Sequence, residues 1–338
     1  MKKSKKVLAV LLAALTMSFA LVGCGGSSSS SSEASGSSNK ADADKVYNIG
    51  ICQLVQHDAL DAATKGFKDK LTELLGEDKV TFDEKNAAGD SATCSTICNQ
   101  FVTSKVDLIL ANATPALQAA MSSTKDIPIL GTSVTDYATA LNISDWKGTT
   151  GANISGTSDL APLDGQAEML KELFPDAKKV GIVYCSSEAN SIYQADTITE
   201  YLKKDGYEVK TYTFSDSNDV ASVTTTACSE SDVLYIPTDN TAASCTKAIN
   251  NVALEKKIPI VAGEEGICAG CGVATLSISY YDLGQKTGEM AYDILVNGKD
   301  ISTMEIQSAP KFTKKYNEEI CKTLGIKVPD DYEAIAAE

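Results

Sequence analysis

From residue 46 onward the chain alternates short β-branched and apolar runs with longer segments whose apolar residues return every three to four positions. That alternation is the βαβ rhythm of a parallel sheet covered by helices. Residues 46–54 read as a strand, and the segment after it places Leu60, Ala63, Phe67, Leu71 and Leu74 on one helical stripe. Strands over 79–85, 106–111 and 127–130 follow, with a helix over 93–104, and the run 148–154 closes the set. A second set begins after Asp159-Leu160-Ala161-Pro162. It reads as helix 163–174, strand 179–184, helix 190–204, strand 207–214, helix 221–228, strand 232–236, helix 241–256 and strand 259–262. Two such sets predict an α/β fold of two doubly wound parallel-sheet lobes. The leftover strand 272–279 and helix 281–297 are expected to cross back to the first lobe, making a multi-strand hinge. The expected lobes are 46–157 with 275–301 and 158–274 with 302–326, followed by a C-terminal tail over 327–338.

Ahead of this body, Lys2, Lys3, Lys5 and Lys6 precede an apolar run over 7–22. The run falls short of the ~20 residues a membrane span needs and reads as a cleavable signal peptide over 1–23. Leu21-Val22-Gly23-Cys24 looks like a bacterial lipobox, in which Cys24 is acylated and anchors the chain to the outer face of the cell membrane. Residues 24–45, with six serines at Ser27–Ser32, read as a flexible leash. The net charge is −15 and becomes −19 once the four leader lysines are lost. That balance argues against nucleic acid, which needs a basic surface, and against a polybasic membrane contact. Ten cysteines in an exported chain would ordinarily suggest disulfides. Their spacing is not a framework, however, and Cys52 and Cys185 sit inside strand runs, where a thiol behaves as a small hydrophobe. Unpaired thiols in such a chain suggest a reducing habitat.

Ligands of doubly wound sheets bind outside the carboxyl ends of the strands. Those ends carry Gln53-Leu54-Val55-Gln56-His57, Ala113-Thr114-Pro115, Gly131-Thr132-Ser133, Ser186-Ser187-Glu188-Ala189-Asn190, Pro237-Thr238-Asp239-Asn240 and Gly263-Glu264-Glu265-Gly266. Each leads into a helix or turn start, whose free N–H groups favour an anion, and the second-lobe loops add carboxylates. N–H donors on one wall and carboxylates on the other suit a zwitterion such as an amino acid. The candidate contacts are Gln53, His57, Thr114, Thr132, Ser133, Ser187, Asn190, Asp239, Asn240 and Glu264. Thr114, beside Pro115, either holds a ligand carboxylate or simply opens a helix. Asp239 either faces the ligand ammonium or caps the next helix, a role worth about 1 kcal/mol. An extended backbone alternates faces, so only one of Glu264 and Glu265 enters the pocket, and Glu264 is favoured. His57, the only histidine, either lines the cleft or starts a helix. Tyr137, Tyr184, Tyr235, Tyr280 and Tyr281 lie near strand ends as candidates for an aromatic pocket.

In this order and spacing the segments resemble the tryptophan/tyrosine-type substrate-binding lipoproteins of ABC transporters. The resemblance runs over about 46–326. It rests on His57-x-x-Leu60-Asp61, Ala113-Thr114-Pro115-Ala116, Ser186–Ser191, Pro237-Thr238-Asp239-Asn240-Thr241, Gly263-Glu264-Glu265-Gly266 and Tyr280-Tyr281-x-Leu283-Gly284-x-x-Thr287-Gly288. It implies a type I periplasmic-binding-protein fold and a monomer whose two lobes close on a small ligand. It also implies delivery to an ABC permease and its ATPase, and aromatic amino acids as the ligand class. The chain departs from the family at Cys268-Ala269-Gly270-Cys271.

Enzymatic readings find little. There is no G-x-S-x-G and no phosphate-cradling G-x-x-x-x-G-K-[ST]. A single histidine excludes His-rich metal sites. No catalytic residue, metal or cofactor is therefore expected. Cys268 and Cys271 have the C-x-x-C spacing of a redox dithiol, but in what reads as a late loop. An exported thiol oxidoreductase is thus the rival from another class, and a nucleoside or small-peptide receptor is the rival within binding proteins.

Overall fold

The computed structural model describes residues 45–309 and 311–336, so the leader, Cys24 and the serine-rich leash lie outside the described residues. The first set of elements is β1 (Tyr47–Gln53), α1 (Asp58–Leu75), β2 (Val80–Asn86), α2 (Ser91–Ser104), β3 (Leu108–Asn112), α3 (Thr114–Ser123), β4 (Ile129–Val134), α4 (Tyr137–Leu141) and β5 (Ile154–Ser158). The second is α5 (Leu163–Leu173), β6 (Lys179–Cys185), α6 (Ala189–Lys204), β7 (Glu208–Phe214), α7 (Val220–Glu230), β8 (Val233–Ile236), α8 (Asn240–Ser244), α9 (Thr246–Lys256), β9 (Ile260–Ala262), α10 (Glu265–Cys271) and β10 (Ala274–Ser277). Then come α11 (Tyr280–Leu295), β11 (Gln307–Ser308), β12 (Thr313–Tyr316), α12 (Glu318–Leu324) and β13 (Glu333–Ala334).

Two separate sheets result, each covered by helices. The first has the order β2-β1-β3-β4-β5-β11 and is parallel throughout. The second has the order β7-β6-β8-β9-β10-β12-β13, parallel except where β12 runs against β10. The central strands read as continuous apolar runs because both their faces are buried: β3 and β8 are buried along their whole length.

The crossings differ from the expected ranges. β10 pairs with β9, Ala274 beside Val261, so it stays in the second sheet instead of completing the first. A right-handed β9–α10–β10 unit sets a strand beside its predecessor, and α11 is the element that crosses. The segment around 307–308, expected in the second lobe, pairs with β5 of the first, and the tail returns as β13 beside β12. The helix expected over 241–256 is two, broken at Cys245, whose ψ of 13° ends α8. Cys268 and Cys271, expected in a loop, lie on α10.

α11 docks on α1 through glycine. A methyl group at Gly284 would overlap the carbonyl oxygen of Ala63, and one at Gly66 would overlap that of Tyr281. The two backbones therefore touch, fastening the crossing helix to the first lobe. Gly284→Ala should force them apart and destabilise the protein by about 1–3 kcal/mol. The check is thermal unfolding, in which the midpoint falls by several degrees.

Candidate ligand-binding cleft

In the first sheet β1 lies between β2 and β3, and in the second β6 lies between β7 and β8, so each sheet reverses its winding there. The loops at such switch points form the natural binding crevice. Here the loops after β1 and β3 face those after β6 and β8. His57 Nε2 lies 3.3 Å from Asn240 Oδ1, and Gln194 Nε2 donates to Thr135 Oγ1 at 3.4 Å. The lobes are thus drawn together, and the polar groups between them have left water.

On the first-lobe wall two strand ends carry backbone strain. Ala113 holds φ at +93° and Ser133 at +55°, a region L-residues avoid and one that recurs at ligand sites. The next residue after Ala113, Thr114, and Ser133 itself bury hydroxyls that have no partner within the protein. Thr132 does not share that state, since its hydroxyl accepts from Thr157 Oγ1 at 3.3 Å.

The second-lobe wall is organised by Glu188, a buried carboxylate. Its Oε2 accepts from Asn240 N at 3.0 Å, Asn240 Nδ2 at 2.6 Å and Asn190 Nδ2 at 3.1 Å. Its Oε1 accepts from Thr241 N at 2.9 Å and Thr241 Oγ1 at 2.8 Å. Asn190 Nδ2 also donates to Thr238 O at 3.1 Å, which leaves Asn190 Oδ1 buried and unpartnered.

Three further carboxylates separate by what their oxygens touch. Asp239 accepts from Ala242 N at 2.7 Å and Cys185 N at 2.6 Å, so it caps α8 and ties that helix to β6. Glu264 caps α10 through Gly266 N, at 2.6 Å, and Ile267 N. Burial first, then the charge of Glu188, raises Asp239 to about 7. Burial likewise raises Glu264 to about 7. Asp159, just past β5, is different. Its Oδ2 accepts from Tyr280 OH at 3.0 Å, while its Oδ1 is buried with no partner. Burial raises it to about 6, against the pull of its hydrogen bond to Tyr280. Asp159 and Tyr280 stand on two of the crossings between lobes, so their bond spans the hinge. The sequence singled out Asp159-Leu160-Ala161-Pro162 only as a boundary. A lone acid between a strand and a proline was the available signal.

The other candidates have partners inside one lobe. Gln53 donates to Asp61 Oδ1 at 2.5 Å and to Val55 O at 3.0 Å, and accepts from Thr64 Oγ1 at 2.7 Å. Ser187 donates to Ser215 O at 3.0 Å. It borders a cavity of about 190 Å³ between the lobes, lined also by Leu54, Pro115, Glu188 and Asn240. A larger groove of about 870 Å³, running past His57, Ala269 and Asn317, touches none of the unpartnered atoms of Thr114, Ser133, Asp159 or Asn190. Of the tyrosines, Tyr137 donates to Thr157 O, Tyr235 to Gln166 Oε1 and Tyr281 to Asp69 Oδ2, and Tyr184 packs in the second core. Tyr280 alone of the five reaches a cleft group. Cys268 and Cys271 are free and buried, and burial pushes both thiols far up, so neither offers a thiolate. No group of residues suited to a metal ion occurs among the described residues.

Two α/β lobes with strained, unpartnered polar strand ends facing across a hinge define a two-lobed binding protein. The chain belongs to the ABC transporter substrate binding protein family, whose model matches residues 48–338. It is 40% identical over 329 residues to a tyrosine-binding protein of Clostridioides difficile, an alignment spanning 97% of this chain and 94% of that one. A Streptococcus pneumonia ABC domain in complex with L-Trp superposes with a TM-score of 0.82 at 32% identity, covering 86% of this chain and all of that one. The ligand-free, open structure of a substrate binding protein with adhesive properties from Clostridium difficile gives 0.66 at 39% identity, covering 87% of this chain and all of that one. This chain too is a substrate-binding protein of an ABC transporter and not an enzyme.

Replacing Asp239 with alanine would strand the N–H groups of Ala242 and Cys185. The expected cost is about 1–3 kcal/mol, read as a lower thermal midpoint. A ligand that stabilises the wild type should raise the variant's midpoint by a similar increment.

Proposed function

We propose that the protein is an extracytoplasmic receptor, lipid-anchored at Cys24, that binds an aromatic amino acid between its lobes and delivers it to an ABC permease and its ATPase. The observation that carries the ligand class is a group of buried, unpartnered polar atoms at the strand ends and hinge, four of which are of the two kinds a zwitterion needs. Thr114 Oγ1 and Ser133 Oγ are hydroxyls able to donate to a ligand carboxylate. Asp159 Oδ1 and Asn190 Oδ1 are acceptors for its ammonium. Buried polar groups are rarely left unpaired, and a zwitterion carries the acceptor and the donor that these hydroxyls and carbonyl or carboxyl oxygens lack. The ammonium contact expected at Asp239 and Glu264 is assigned to Asp159 in this reading, because both oxygens of the first two already accept backbone N–H groups, Ala242 and Cys185 for Asp239, Gly266 and Ile267 for Glu264. The tyrosine-binding and L-Trp-bound relatives support an aromatic side chain. The superposition is better on the L-Trp complex than on the open structure despite lower identity, which supports lobes that have closed.

Purified protein should unfold at a higher temperature with L-Trp or L-Tyr, since ligand at 100 times its dissociation constant adds about 2.7 kcal/mol. Absence of any shift across all amino acids would overturn the proposal. Asp159→Asn removes one charge-assisted contact and should weaken binding by roughly 10- to 100-fold.

The same carboxyl sets a pH dependence. Its folded pKa of about 6 lies above the unfolded value near 3.9. Its protonation therefore stabilises the ligand-free fold fully below pH ~4, and that contribution is lost as pH rises through about 6. An ammonium requires the ionised form, so binding below pH 6 must expel a proton. Affinity should fall by about tenfold between pH 7 and pH 5, and titration calorimetry on Asp159→Asn should show that dependence gone.

A further inference from the structure

His57 stands where α1 begins, and its ring bonds to Asn240 on the organised wall of the second lobe. Its state is dictated from the far side of the cleft. Glu188 takes the amide N–H of Asn240 at 2.6 Å, which fixes that amide with Oδ1 turned toward His57. An amide oxygen only accepts, so the nitrogen facing it, Nε2, must carry the hydrogen. Burial, the largest influence on the ring, holds it neutral against the opposing pull of Asn240, Glu188, Asp61 and Asp58. A neutral imidazole with hydrogen on Nε2 has a bare lone pair on Nδ1. That atom is buried and meets no donor in the protein. It does not cap the helix it begins either.

We propose that His57 Nδ1 is a specificity determinant that accepts a hydrogen bond from the ligand's side chain, so that the site selects aromatic amino acids carrying a ring donor. The phenol O–H of tyrosine and the indole N–H of tryptophan supply that donor, and phenylalanine supplies none. The inference rests on the amino-acid reading above but concerns the other end of the ligand. The four unpartnered atoms of Thr114, Ser133, Asn190 and Asp159 take the zwitterion that every amino acid shares. His57, set by the Glu188–Asn240 pair, reads the side chain. A buried acceptor left bare penalises the ligand that cannot fill it, which gives discrimination without adding affinity for the common part.

The test measures dissociation constants of L-Tyr, L-Trp and L-Phe for the wild type and for His57→Gln. Glutamine keeps an N–H for Asn240 but has no acceptor at the Nδ1 position, its Oε1 lying one bond further from the backbone, so lobe contact survives while the reader is displaced. The wild type should bind one or both donor-bearing ligands about tenfold or more tighter than L-Phe. His57→Gln should lose the preference, binding L-Phe at least as tightly as the wild type does and the donor-bearing ligands more weakly. Because His57 is the only histidine, its imidazole nitrogen resonances are unambiguous, and Nδ1 should move upfield with the preferred ligand and stay in place with L-Phe. Equal wild-type affinity for all three ligands, or a preference that persists in His57→Gln, overturns the inference and leaves the amino-acid reading standing. Failure of every amino acid to bind the wild type overturns both.

Discussion

Everything in the cleft follows from one constraint: two sheets can close on each other only if the polar groups they take out of water find partners. Parallel strands end in loops that expose N–H, hydroxyl and carboxyl groups, and each of these costs a few kcal/mol if buried alone. The structure resolves most of that cost internally. Glu188 gathers five donors from Asn190, Asn240 and Thr241, and Asp239 and Glu264 absorb the free N–H groups of α8 and α10. What remains unpaired is a small, chemically uneven set, and that remainder describes the ligand better than any single residue does.

Strain and satisfaction divide the labour between the lobes. The first lobe bends backbone at Ala113 and Ser133 to present hydroxyls. The second lobe locks its polar wall around a carboxylate. A wall held by several hydrogen bonds to one charged group moves little, so its amide orientations and the tautomer they impose across the cleft are fixed before a ligand arrives.

The fold was largely legible in the sequence because its signals are local. The 3.6-residue stripe of α1 and the β-branched runs of β1, β3, β6 and β8 declare two wound sheets, and the strand-end tetrapeptides mark the crevice. The crossings were not legible. β10 and α11 are adjacent in sequence, yet one belongs to each lobe, and what sends α11 back is a glycine contact with α1 more than two hundred residues away. The site was half legible for a similar reason. An aspartate before a helix reads the same whether its oxygens face a ligand or the helix, and Asp239 turned out to face the helix. Asp159 gave almost no local signal, because its role comes from Tyr280, which is distant in sequence. The C-x-x-C spacing raised a redox rival, and what the sequence placed in a loop is a helix. That helix is short and glycine-containing, and its thiols are simply core.

On the proposed binding mode, the position of Asp159 makes binding and closure one event. A ligand held only by the two walls would add their contributions and would leave the hinge indifferent. Here the free oxygen of Asp159 belongs to a residue whose other oxygen already bonds Tyr280 on a second crossing. A cation at that oxygen keeps the carboxyl ionised, and an ionised carboxyl is the stronger acceptor for Tyr280. A ligand ammonium there would strengthen the bond between two crossing segments while the ligand fills the cleft. A ligand shifts a conformational balance only through differential affinity for the two states. In that mode the hinge carboxylate supplies that difference, bonded as it is between two of the crossings that join the lobes.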